Sequence, residues 1–76
     1  MTKLPVLSGK DVIKALSQAG FVVARQKRSH VILKKVVSGE TVTTVVPLHQ
    51  ELDRGTLVEI IRQARLQREE FLKLLG

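Results

Sequence analysis

Three short β-branched segments, set apart by tight turn signals and closed by a proline, leave this chain little choice of fold. Phe21-Val22-Val23-Ala24-Arg25-Gln26 comes directly after Gly20, and His30 to Val36 follows the turn Lys27-Arg28-Ser29. Thr41 to Val46 follows Val37-Ser38-Gly39-Glu40 and stops at Pro47. Val, Ile, Phe and Thr favour a pleated strand. Gly39 can take positive φ in its turn, and proline has no N–H for a further ladder bond. Links this short join strands antiparallel, because a parallel return needs a crossover of about a dozen residues. Alternation along the second strand puts Val31 and Leu33 on one face and His30, Ile32 and Lys34 on the other.

Helical periodicity flanks these strands on both sides. Ser8 is placed to cap a first helix, Asp11 three residues on completes a capping box, and Leu7 and Val12 have staple spacing. Val12, Ile13, Leu16 and Ala19 recur at helical spacing, and Gly20 ends the run. Leu48 to Arg54 is polar and reads as a loop. Gly55-Thr56 opens a second helix with Leu57, Ile60, Ile61 and Ala64 on one face, broken at Leu66-Gln67. A short last helix carries Phe71, Leu72 and Leu75, with Glu69 and Glu70 in its first turn and Lys73 in its last, matching the helix dipole. The order α-β-β-β-α-α predicts an α+β two-layer sandwich: helices cover one face of a three-stranded antiparallel sheet and the other face stays open.

Seventy-six residues suffice for one domain, residues 1–76, and not for a second core. Without cysteine there is no disulfide framework and no thiolate metal site. Stability then rests on one small core, roughly 3–5 kcal/mol. Two histidines and seven scattered acids show no metal-ligand spacing. No apolar run approaches the ~20 residues of a membrane span, and Met1-Thr2-Lys3-Leu4-Pro5 lacks the apolar core of a signal peptide, which predicts a cytosolic protein with no membrane partner.

The net charge of +6 is concentrated. Arg25-Gln26-Lys27-Arg28-Ser29-His30-Val31-Ile32-Leu33-Lys34-Lys35 holds five of the thirteen basic residues and no acid. His30, where a turn feeds a strand, is the histidine inside that cluster. A side chain that titrates near neutrality, ringed by cations, suits work on a polyanion. The competing account is a solvated strand edge whose lysines deter aggregation, which serves Lys34 and Lys35 better than it serves Lys27-Arg28 at a turn. Lys10 and Lys14 either extend the basic track or form the wet face of the first helix. Gly55 and Thr56 either offer N–H groups to a phosphate or simply start a helix.

Taken in order, several short motifs resemble HicA-type toxins, the messenger-RNA interferases of toxin–antitoxin pairs. They are Leu4-Pro5-Val6-Leu7-Ser8-Gly9-Lys10, Gly20-Phe21, Ser29-His30, Val46-Pro47-Leu48-His49, Leu52-Asp53-Arg54-Gly55-Thr56-Leu57 and Glu69-Glu70-Phe71-Leu72. The resemblance spans nearly the whole chain. It implies a double-stranded-RNA-binding-domain-like fold, messenger RNA as substrate, and the histidine of a Gly-Ser-His triplet as catalytic residue, here His30. It further implies a HicB-type antitoxin that covers that residue. Arg28 stands where the triplet has glycine, and Arg65 where glycine is expected between the last two helices. If such a position needs positive φ, arginine costs on the order of 1 kcal/mol there.

RNA carries its own nucleophile, the 2′-hydroxyl, so a cleaving protein needs a base, a cation for the phosphorane and an acid for the leaving oxygen. His30 suits the general acid or base, which contributes roughly 10²–10⁴-fold. Lys27 and Arg28, with Arg25 and Lys34, suit the phosphates, and Ser29 suits orienting the ring or a phosphate oxygen. This scheme calls on no metal and no cofactor. His49 has two readings, a second acid or base beside His30 or a loop residue holding the sheet edge. The alternative function for the whole chain is a module that binds duplex RNA by shape and phosphate contacts without cutting it.

Overall fold

The structure, a computed structural model, describes residues 3–75. Its first helix, α1 (Gly9–Gln18), begins as the capping-box pattern predicts. The Ser8 hydroxyl accepts from the Asp11 N–H and the Ser8 N–H donates to the Asp11 carboxylate, each at 3.1 Å. The Ser8 N–H, then its hydroxyl, hold the Asp11 carboxyl below the ordinary aspartate range. Gly9, the first residue of α1, lies so close to the Pro47 carbonyl and the Leu48 backbone that no Cβ fits. Its N–H donates to the His49 carbonyl at 2.9 Å, which bolts the helix start to the end of the last strand.

The strands are β1 (Val22–Lys27), β2 (His30–Val37) and β3 (Glu40–Pro47), antiparallel in the order β1-β2-β3. The two hairpins differ. Ser38 and Gly39 both take positive φ, 51° and 81°, the type I′ pattern that matches strand twist. In the first hairpin only Arg28 does, at 58°. Positive φ at the first of two turn residues is the place where a type II′ turn has glycine. The expected strain at Arg28 is therefore present, the turn keeps its register with Lys27 opposite His30, and Gln26 steadies it by donating to the Arg28 carbonyl at 3.2 Å.

Two further helices, α2 (Arg54–Gln63) and α3 (Arg68–Lys73), complete a two-layer α+β fold. The break between them falls earlier than Leu66-Gln67: α2 is capped at Ala64, and Arg65 turns the chain with φ 59°. That arginine is tied by its guanidinium to Glu40 of the second hairpin at 2.9 Å. Segment 48–54 is more than the polar loop expected of it. Leu52 is buried in the core, its N–H donates to the Leu7 carbonyl at 2.8 Å, and Asp53 caps α2 through the Thr56 N–H at 2.8 Å.

Val31 and Leu33 of β2 and Val42, Thr44 and Val46 of β3 face the helices and meet Val12, Leu16, Leu57, Ile60 and Phe71. The helix layer reaches the sheet chiefly through β3. Thr44 is the buried polar residue of this core; its hydroxyl donates to the Gln63 side-chain oxygen at 3.0 Å. The same Gln63 oxygen accepts the Val45 N–H at 3.3 Å, covering a donor on the outer edge of β3. By contrast all six residues of β1 are exposed, Val22 and Val23 included, and the strand carries a register shift between Val23 and Arg25. Among the described residues no helix is long and apolar enough to cross a membrane.

Candidate nucleic-acid interface

In an antiparallel pair, residues directly opposite share a face. The register therefore sorts the basic cluster without ambiguity. Lys27, His30 and Pro47 form one cross-strand row on the face away from the helices; Arg25, Ile32 and Val45 form the next; Val22, Lys34 and Thr43 form a third. Lys35 falls on the opposite face, where its ammonium stands 5.9 Å from the centroid of the buried Phe21 ring. The five basic residues thus divide: Arg25, Lys27 and Lys34 on the open face, Arg28 at the turn beside it, and Lys35 beneath.

His30 is exposed, and among the described residues its ring takes part in no hydrogen bond. Arg25, Lys27, Arg28, Ser29 and Lys34 are exposed as well. No strand residue on this face is acidic. Ion pairs join Arg62 to Glu59 and Arg65 to Glu40, both away from it. The cations here consequently keep their field for a ligand. Backbone bonds fix the setting: the Ser29 carbonyl accepts the Leu48 N–H at 2.7 Å, extending the β2–β3 pairing past Pro47.

His49 lies just beyond this point, exposed, with its carbonyl committed to Gly9. Its ring influences Asp53, whose carboxyl is held below its ordinary value first by the Thr56 hydroxyl and N–H and less by His49. No hydrogen bond among the described residues joins the two imidazoles. The start of α2 offers little to a phosphate, because Asp53 already occupies the Thr56 N–H and brings a negative charge. Lys10 and Lys14 are exposed on α1, in the helix layer. Among the described residues no group of three or more His, Cys, Asp or Glu could hold a metal ion.

Two neighbours of His30 carried no functional signal in the sequence. Ile32 and Val45 sit side by side in the row next to it, and only the pairing of β2 with β3 reveals that they adjoin.

The class this defines is a small two-layer α+β protein with basic side chains and one free imidazole gathered on the uncovered face of its sheet. Residues 9–66 match the family described as HicA toxin of bacterial toxin-antitoxin, and the chain belongs to that family. Its family role is that of the toxin of a toxin–antitoxin pair. No match is found among curated proteins.

Proposed function

We propose that this toxin is an endoribonuclease that cuts messenger RNA by activating the RNA's own 2′-hydroxyl, with His30 as the general acid–base group. The observation that carries this reading is the exposed, unengaged ring of His30, opposite Lys27 and beside Arg25 on a face without carboxylates. His30 takes the proton of the 2′-hydroxyl, and the 2′-oxygen bonds to phosphorus as the bond from phosphorus to the 5′-oxygen breaks. The proton returns to that leaving oxygen. Lys27 and Arg28 neutralise the charge that gathers on the phosphorane oxygens, Arg25 and Lys34 hold neighbouring phosphates, and Ser29 orients the reacting group. Every role is filled by a side chain, so cleavage proceeds in chelator.

The strain at Arg28 fits the same scheme. A side chain kept at positive φ, where glycine would relax the turn, is a cost borne at a site of use. An antitoxin of the HicB type would cover His30 by presenting acidic groups to the same cations. Purified protein incubated with messenger RNA in excess chelator should yield 2′,3′-cyclic phosphate ends, and His30→Ala should lower cleavage by at least about 10²-fold. Intact RNA from the inhibitor-free parent would refute the proposal.

The second reading, a binding module without chemistry, draws on one observation: no described side chain orients the His30 ring. It predicts salt-sensitive retention of duplex RNA and no cutting by either protein.

A further inference from the structure

The face that carries His30 is not uniformly polar: Val22 and Val36 stand toward its far end, and an apolar pair lies in the row next to His30. Ile32 is half-buried and Val45 is 37 % exposed, paired across β2 and β3, with Arg25 completing the row on β1. On one side of that row stand Lys27 and His30; on the other stands Lys34. Rows sharing a face follow one another every ~7 Å along a strand, close to the reach of one extended nucleotide. The order cation, apolar row, cation repeats the order phosphate, base, phosphate.

We propose that the Ile32–Val45 pair seats the base next to the cleaved phosphate, and hence that the substrate is a single strand laid along the β-strands. The inference rests on the reading of this face as an RNA site and names the substrate form that the face accepts. A duplex closes its base faces inside the stack and offers phosphate and ribose outside. Apolar side chains pressed on that surface would dehydrate it with no compensating contact. A single strand offers a bare base face, which aliphatic carbon can cover. Both phenylalanines are buried, so neither offers its ring to a base, and the aliphatic pair takes that place. General preference of strands for β-branched residues accounts for Val36, 71 % exposed at the far end of β2. It does not account for an apolar row enclosed by cations.

The test uses His30→Ala protein, which holds RNA without cutting it, with a short mixed-sequence oligonucleotide offered single-stranded and as its blunt duplex. The single strand should bind about tenfold more tightly than the duplex, and adding Ile32→Thr with Val45→Thr should remove about that factor. Duplex affinity should be unchanged by the pair of substitutions, and circular dichroism should show the same fold. Equal or tighter binding of duplex overturns the inference, as does undiminished single-strand affinity in the substituted protein. The nuclease reading fails separately: if the parent cuts no RNA while these differences in binding hold, the base seat stands and the chemistry does not.

Discussion

β1 and β3 are the outer strands of one sheet, yet they have little else in common. β3 sends Val42, Thr44 and Val46 into the core, lies under the helices, and has an edge donor taken by Gln63. β1 buries nothing, pairs with β2 alone in the sheet, and carries Arg25 and Lys27 on the open face. Stability has been concentrated on one side of the molecule and ligand-facing charge on the other. The lesson is that a domain this small can still give a surface over to binding, because few of that surface's side chains support the fold.

The largest break of this comparison pits the two sides directly. Phe71→Ala removes a fully buried ring and should cost about 3–5 kcal/mol, which is most of what a core of this size supplies; circular dichroism should show an unfolded chain at room temperature. Arg25→Ala with Lys27→Ala should leave the urea midpoint within about 0.5 kcal/mol of the parent. The same pair should reduce the slope of log affinity against log salt for single-stranded RNA by roughly 1.4. If the β1 pair unfolded the protein, the division of labour would be wrong.

Next in size is Thr44→Val, which keeps the shape but removes the buried hydroxyl that donates to the Gln63 oxygen. A loss of about 1–2 kcal/mol in urea denaturation is expected, with RNA affinity untouched.

Smaller still, and of opposite sign, are the two arginines at positive φ. Arg28→Gly should stabilise by up to about 1 kcal/mol while weakening cleavage. Arg65→Gly should gain less, because it gives up the exposed pair with Glu40, worth about 0–1 kcal/mol, and it should leave cleavage alone. Equal responses at the two sites would remove the case for a ligand role at Arg28.

The smallest effect is a pH dependence. Asp11 and Asp53 titrate below their ordinary values in the folded state through their cap hydrogen bonds. Their contribution is complete above the unfolded carboxylate pKa and is lost as the pH falls through the folded values. Melting temperature should be flat near neutrality and decline below about pH 4, less so in Asp53→Asn.

Much of this was legible in the sequence because it rests on local rules. The capping box at Ser8, the alternation of Val31 and Leu33 against His30 and Lys34, and the turn at Ser38-Gly39 follow from spacing alone. So does the separation of Lys34 from Lys35, which parity along a strand dictates. Where the helices land is a tertiary matter, and nothing local said that Val22 and Val23 would stay in water although they look like core. The Thr44–Gln63 contact spans 19 positions with no periodic trace. Ile32 beside Val45 needed the register.

Gln63 has a consequence for how copies of this protein can meet. With the Val45 donor taken and Pro47 lacking one, the outer rim of β3 is a poor template for another chain. Association by strand addition is therefore better served by the β1 rim than by the proline end of β3.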